Sequence, residues 1–220
     1  MANTRSLVWQ PSLLDSAGDT AGDIAGDTAG ETGFDAGFTE AGRIALDRDA
    51  WVEHVPGWVH GAGALFAAIV DGAPWEQRRV HMYDRMVDEP RLTAWYGAAL
   101  DDPGVPQVIA GMAAALSARY RRSFDGVGAA LYRDGRDSVA WHGDRIPPEI
   151  VEPVVALVSL GSPRGLRMRR ATRRAETRTF RLLPGDLFVM GGASQRTWEH
   201  SVPKVARAGP RLSLQFRHSQ

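Results

Sequence analysis

His142 and Asp144 stand two residues apart, a second histidine, His200, follows at a distance, and the segment Arg211-Leu-Ser-Leu-Gln-Phe-Arg217 comes after it. Two imidazoles and one carboxylate are a facial ligand set for iron(II). Such a set leaves positions open for a bidentate oxo-acid and dioxygen. An arginine supplies the planar fork that would hold the far carboxylate of that oxo-acid. On an extended strand the side chains at i and i+2 face the same way, so His142 and Asp144 can reach one ion. The third ligand can come from far along the chain where an antiparallel barrel or jelly roll lays distant strands side by side.

The elements needed to position these groups are legible after Phe124, as short extended runs separated by turn residues. The runs are Val127 to Tyr132, Ser138 to His142, Val154 to Leu160, Gly165 to Arg170, Thr177 to Leu183, Asp186 to Met190, Thr197 to Val202 and Arg211 to Arg217. Asp134-Gly135 and Pro184-Gly185 are turn signals, and Gly161-Ser-Pro163 and Gly191-Gly192 break other runs. Strands this short and this frequent predict a sandwich or barrel of the jelly-roll type. Before them, Gly61 to Val70 reads as a helix, and Val105 to Tyr120 has Val108, Ile109, Met112, Leu116 and Tyr120 at helical spacing. The expected fold is therefore mainly β (α+β), a double-stranded β-helix (jelly roll) core buttressed by N-terminal helices.

At 220 residues the chain has room for one domain with a full core and an additional arm. From Asp15 to Gly33 the tetrapeptide Ala-Gly-Asp-Thr repeats with small variations. With Gly in every repeat and no large apolar residue recurring, this stretch predicts a disordered arm. The expected division is residues 1–42 as an N-terminal segment and 43–220 as the functional domain. The formal net charge is zero, yet Ser6 to Ala41 carries seven acidic and no basic residues, which leaves 25 Lys and Arg against 19 Asp and Glu from Arg43 onward. That excess of +6 favours a polyanionic partner. There are no cysteines, which excludes disulfides, zinc-thiolate sites and cysteine nucleophiles. No export signal is evident, and no apolar run approaches the roughly 20 residues that span a bilayer. The expectation is a cytoplasmic monomer without a membrane partner.

Several separated motifs occur in one order: Pro90-Arg-Leu-Thr-Ala-Trp-Tyr-Gly97, Leu131-Tyr-Arg-Asp-Gly135, His142-Gly-Asp144, Val158-Ser-Leu-Gly161, Leu183-Pro-Gly-Asp186, Gln195-Arg-Thr-Trp-Glu-His-Ser-Val-Pro203 and Arg211 to Arg217. In this order they resemble the AlkB family of iron(II)- and 2-oxoglutarate-dependent dioxygenases, which repair alkylated bases. The likeness runs from about Trp75 to Arg217 and is nearest to the nucleic-acid dealkylase branch. It implies that His142, Asp144 and His200 hold Fe(2+), and that Arg211 binds the distal carboxylate of the cosubstrate 2-oxoglutarate, with O2 as the second cosubstrate. It further implies that Tyr132, Ser213 and Arg217 complete the cosubstrate site. Two positions depart from the family pattern. Ala130 stands where the family has Asn, and Ile146 where it tends to carry an acid that reads the damaged base.

The resemblance implies oxidative dealkylation of bases of the 1-methyladenine and 3-methylcytosine type in DNA, with RNA as a further candidate. A base inside a duplex would have to be flipped out to react. Tyr96 is the first candidate for the base pocket, with Trp75, Arg145 and Arg173 as further substrate-binding residues, while Trp95 and Trp198 are assigned to packing. The stretch Arg164 to Arg181 carries eight arginines and suits a phosphate track. Two other readings stay open. One is an Fe(II)/2-oxoglutarate hydroxylase of a small molecule or protein side chain, motivated by Ile146. The other is a non-catalytic metal-containing jelly-roll binding module.

Overall fold

The protein is described by a computed structural model over residues 31–82, 84–96, 105–144, 146–173 and 176–218. The acidic repeat before residue 31 and the candidate Arg145 lie outside the described residues. The first half of the chain forms β1 (Gly33–Phe34), β2 (Gly42–Ala45), β3 (Ala50–Val55), β4 (Val59–His60), α1 (Ala62–Gly72), β5 (Arg79–Met82), β6 (Arg85–Asp88), β7 (Leu92–Trp95) and α2 (Gln107–Tyr120). The second half forms β8 (Phe124–Tyr132), β9 (Val139–His142), β10 (Val155–Gly161), β11 (Arg164–Arg170), β12 (Thr177–Leu182), β13 (Leu187–Gly192), α3 (Ser194–Thr197), β14 (Trp198–Val202) and β15 (Arg211–His218).

Among the described residues these strands build a seven-stranded sheet, ordered β2-β3-β13-β10-β15-β8-β7, and a four-stranded sheet, ordered β12-β11-β14-β9. Their pairings are antiparallel. From β8 onward the chain passes repeatedly from one sheet to the other, which is the double-stranded β-helix expected from the sequence. Two layers of side chains follow from the pleat. On β15, Leu212, Leu214 and Phe216 point to the helix side, where they join Val158 and Leu160 of β10, Ile69 of α1, and Ile109, Met112 and Leu116 of α2. On the opposite face Leu157, Phe188 and Met190 meet Leu166, Met168 and Leu182 of the smaller sheet. β10 and β13 are thus covered on both faces, which is why they read as nearly unbroken apolar runs, whereas β15 alternates because its other face lines the cavity.

The helices are fixed at their ends as well as by their apolar faces. Glu53 on β3, only 3% exposed, accepts from Arg119 Nη2 at 2.8 Å and from the Tyr120 hydroxyl at 2.5 Å. These bonds tie the last turn of α2 to the larger sheet. Ser117 Oγ bonds the Ala113 carbonyl at 2.7 Å and accepts from Phe124 N at 3.0 Å, which sets the angle at which β8 leaves the helix. Residues 33–42, grouped with the N-terminal segment on sequence grounds, are part of the folded unit. Phe38 is buried and stacks on Trp58, and β1 pairs with β4.

One turn ties the larger sheet to the N-terminal strands. In Pro184-Gly185, Gly185 has φ +88, and a Cβ there would stand 2.5 Å from the Val59 carbonyl oxygen, so only glycine fits. Asp186, 2% exposed, accepts from His54 Nε2 at 2.8 Å, Leu183 N at 2.9 Å and Gly57 N at 3.0 Å. Burial pushes this carboxyl up, but the bonds from His54, Leu183 and Gly57 outweigh it and hold the pKa below the usual aspartate value. A depressed carboxylate pKa stabilises the fold above the unfolded value, near 3.9, and that contribution is lost as pH falls through the folded pKa. Asp186→Asn is expected to lower unfolding free energy at pH 7 by about 2 kcal/mol in urea titrations. The gap to the wild type should narrow below about pH 4.

Candidate active site

His142 ends β9 and His200 lies in β14, directly opposite it in the register. The two rings are 4.3 Å apart between centroids. The pairing is irregular between His200 and Val202, a local disturbance of the kind that re-aims side chains near functional sites. Asp144 follows two residues beyond His142 and completes the group, with the candidate ligand atoms of all three within 4.8 Å of one another. The ring Nδ1 of His142 lies 2.9 Å from the Ala140 carbonyl, an acceptor, so it carries the proton and leaves Nε2 for a metal. His200 is 8% exposed, and burial pulls its pKa down to about 4 against the opposing pull of the Asp144 carboxylate. Its imidazole is neutral at pH 7 and needs no deprotonation to act as a ligand.

Asp144 is held as a carboxylate. Burial opposes ionisation, but the Arg217 guanidinium, followed by the two histidines, keeps its pKa below the ordinary value. Oδ1 accepts from Arg217 Nη2 at 2.8 Å, while Oδ2 is buried without a hydrogen-bond partner. A buried carboxylate oxygen with no hydrogen-bond partner among the described residues, beside two histidines, suits a bound cation.

A second unsatisfied charge lies along the same strand. Arg211 is 2% exposed, its Nε donates to Ser159 Oγ at 3.1 Å, and its Nη1 is buried with no partner. Burial lowers its pKa, and the like charge of Arg164 acts the same way, yet a guanidinium stays protonated at neutral pH. The Tyr132 ring sits 5.3 Å from the Arg211 guanidinium and 5.8 Å from that of Arg164, so two cations flank one phenol. A buried cation with no carboxylate partner among the described residues calls for an anion. The donor set fits a dicarboxylic cosubstrate, with Arg211 and Tyr132 at its far end and the histidine and aspartate cluster at its near end.

The strand register aligns these groups. Arg211 pairs with Tyr132, Ser213 with Ala130, Gln215 with Gly128 and Arg217 with Gly126. All four β15 residues line one cavity of about 560 Å³ together with His142, Asp144, His200 and Tyr132. The structure therefore gathers every metal and cosubstrate candidate into one space. Ser213 faces Ala130, and Arg217 is engaged with Asp144.

The substrate candidates are placed differently. Tyr96 packs against the helix-side core, and burial raises its phenol pKa. Trp75 also packs there, its Nε1 donating to the Val70 carbonyl at 2.9 Å. Neither lines the cavity. Arg173 is exposed near the end of the β11–β12 hairpin and is also outside the lining. The cavity wall instead carries Trp95, 57% exposed, with Glu76 and Arg78 beside it. The packing expected of Trp95, on the ground that most tryptophans are core residues, does not hold, since its side chain lines the cavity. The signal for it was Gly126-x-Gly128 on the neighbouring strand, where the missing side chains leave room for a ring.

Of the eight arginines between Arg164 and Arg181, several are committed to the protein itself. Arg164 is buried and donates to the carbonyls of Asp134, Asp137 and Pro203. Arg169 pairs with Glu199, Arg170 with Asp47, and Arg178 donates to the carbonyls of Ala45 and Leu46. Among the described residues, Arg167, Arg173 and Arg181 are exposed and have no such partner.

A jelly roll holding two histidines, a carboxylate and a buried arginine defines a class of metal- and oxo-acid-dependent oxygenases. The chain agrees with that class in sequence: the family model of the 2OG-Fe(II) oxygenase superfamily matches residues 71–217. Alpha-ketoglutarate-dependent dioxygenase alkB homolog 3 of Homo sapiens and of Bos taurus are each 30% identical over 182 residues, covering 74% of this chain. This chain spans 64% of the length of those relatives. DNA oxidative demethylase ALKBH2 of Arabidopsis thaliana is 34% identical over 110 residues, 39% of this chain and 35% of that protein. The solved structure of OsALKBH1 superposes with a TM-score of 0.58 at 15% identity, covering 80% of this chain and 100% of that one, a likeness of fold. The chain belongs to the 2OG-Fe(II) oxygenase superfamily and, within it, to the AlkB family. That family's cofactors, Fe(2+), 2-oxoglutarate and O2, are those the donor set fits.

Because Arg217 bonds Asp144 whereas Arg211 lines the same cavity without touching the histidine and aspartate cluster, their removal is expected to separate two affinities. Arg217→Met is expected to weaken Mn(II) binding by about 10–100-fold in calorimetric titrations. Arg211→Met should leave Mn(II) binding near the wild-type value and raise the half-saturating concentration of 2-oxoglutarate at least tenfold.

Proposed function

We propose that this protein removes N-linked alkyl groups oxidatively from bases of the 1-methyladenine and 3-methylcytosine type in DNA, with RNA as the second nucleic acid to be tested. The observation that carries the reading is the cavity itself. A metal-ligand cluster and an unpaired buried arginine lie at its floor, and an exposed indole stands at its open side. When bound, iron(II) supplies the redox chemistry that joins 2-oxoglutarate, O2 and an N-methyl group into succinate, CO2 and an N-hydroxymethyl group, which then breaks down to the free base and formaldehyde.

The chain's own residues bind, orient and exclude water. His142, Asp144 and His200 hold the metal, and Arg217 fixes the Asp144 carboxylate. Arg211 and Tyr132 anchor the far carboxylate of the oxo-acid, while the apolar layer between the sheets shields the site from bulk solvent. The target base leaves its stack and lies against Trp95, where an open aromatic face is available at the cavity mouth. Arg78 on the cavity wall, and Arg167, Arg173 and Arg181, which have no side-chain partner among the described residues, are cations available to meet phosphates.

A second reading retains a specific observation. Ile146 packs against the layer between the sheets and offers no polar group near Asp144, which leaves room for a hydroxylase acting on a small molecule or protein side chain. A structural metal module is disfavoured, because such a module has no use for an unpaired buried Arg211 beside its ligands.

Formaldehyde release from a single-stranded oligonucleotide bearing 3-methylcytosine should require iron(II), 2-oxoglutarate and O2, and should vanish in His142→Ala. Consumption of 2-oxoglutarate without formaldehyde would turn the assignment to the hydroxylase. Trp95→Ala is expected to lower kcat/KM for the oligonucleotide about tenfold or more, with Tyr96→Phe changing it less than threefold. The reverse order would return the base to Tyr96.

A further inference from the structure

Gly128 separates two side chains that share the cavity face of the larger sheet. The point where its Cβ would stand is 3.3 Å from Trp95 Cε3 and 3.3 Å from Gln215 Oε1. The register explains the arrangement: Trp95 pairs with Gly128, and Gly128 with Gln215, so the three form one row across β7, β8 and β15. Paired residues of antiparallel strands point to the same side. The Trp95 ring also lies over Gly126, with Cη2 2.9 Å from the corresponding Cβ point. One face of the indole therefore rests on bare backbone, and the other opens to the cavity.

The Gln215 amide is held in one orientation. Its Nε2 donates to the Ser213 carbonyl at 3.2 Å. A carbonyl can only accept, so the NH2 group must face Ser213, and Oε1 is left as an acceptor. Among the described residues no donor reaches Oε1. The next position along the strand face is Arg217, whose Nη2 is already on Asp144. An acceptor with no donor among the described residues thus stands at the edge of an aromatic platform, in the cavity that the metal-ligand cluster also lines.

Resting on the dealkylase reading above, we propose that Gln215 selects the base: the heterocycle stacks on Trp95, and its exocyclic amine donates to Gln215 Oε1. Adenine and cytosine carry that amine. Thymine and guanine carry a carbonyl in the corresponding place, which would set two acceptors against each other and leave both unpaired. Ile146 is apolar and packs between the sheets, so it supplies no acceptor for this purpose. Glu76 is another carboxylate on the cavity wall, but it pairs with Thr93 on the far side of β7, away from Gln215.

The test compares 3-methylcytosine with 3-methylthymine in one single-stranded sequence, by kcat/KM for formaldehyde release and by anaerobic binding followed through fluorescence anisotropy. The wild type should prefer 3-methylcytosine in both. Gln215→Leu should cut that preference about tenfold, and Gln215→Glu, which keeps an acceptor, should retain it. A ratio of two substrates is unaffected by the fraction of active enzyme. An unchanged ratio in Gln215→Leu, its loss in Glu76→Leu instead, or no preference in the wild type would overturn the assignment while leaving any observed dealkylation intact. Preferential binding that Gln215→Leu abolishes, without formaldehyde from either oligonucleotide, would uphold Gln215 and remove the dealkylase reading.

Discussion

The pleat of β15 is the constraint on which the site depends. Successive side chains on a strand must point to opposite faces, so the run that sends Leu212, Leu214 and Phe216 into the helix layer also sends Arg211, Ser213, Gln215 and Arg217 into the cavity. A shift of one residue would put two guanidiniums into an apolar core and three large apolar residues into the cavity. The cost of that alternative locks the register. Once it is locked, Arg217 meets Asp144 and Arg211 meets Ser159 without further adjustment.

Two unsatisfied charges follow from this arrangement. The buried Asp144 oxygen and the buried Arg211 nitrogen each lack a partner among the described residues. Burying such groups unpaired is unfavourable, and the fold tolerates it only because the surrounding layers hold them in place. Their charges are opposite, and their ligands are correspondingly a cation at one end of the cavity and a carboxylate at the other. Binding of a metal and an oxo-acid to this site should stabilise the folded chain by mass action, since neither finds its site in the unfolded state. The smaller sheet serves the same end from the other side, because β9 and β14 are held in register by the β11–β12 hairpin, whose Arg164 is committed to backbone carbonyls.

Much of this was legible in the sequence. The strands after Phe124 could be placed to within a few residues because short apolar runs alternate with Gly, Pro and Asp turns. The His-x-Asp spacing and the later histidine picked out three residues that the fold brings together, while the cosubstrate candidates on β15 came from the resemblance to the AlkB family. What resisted reading depends on partners remote in sequence. The arginines from Arg164 to Arg181 look alike as a string, and only folding brings Asp47 and Glu199 to some of them. Trp95 ends a short edge strand whose phase a few residues do not fix, Tyr96 follows it, and the glycines that seat Trp95 lie on another strand. Phe38 follows a low-complexity stretch and reads as part of it, yet it is buried because Trp58 lies against it.

A crystal structure with Mn(II) in place of iron and with 2-oxoglutarate bound tests this account most directly. The account predicts the metal on His142, Asp144 and His200, and the distal carboxylate of the oxo-acid on Arg211 beside Tyr132. Metal bound elsewhere, or an oxo-acid that leaves the Arg211 guanidinium unpaired, would contradict it.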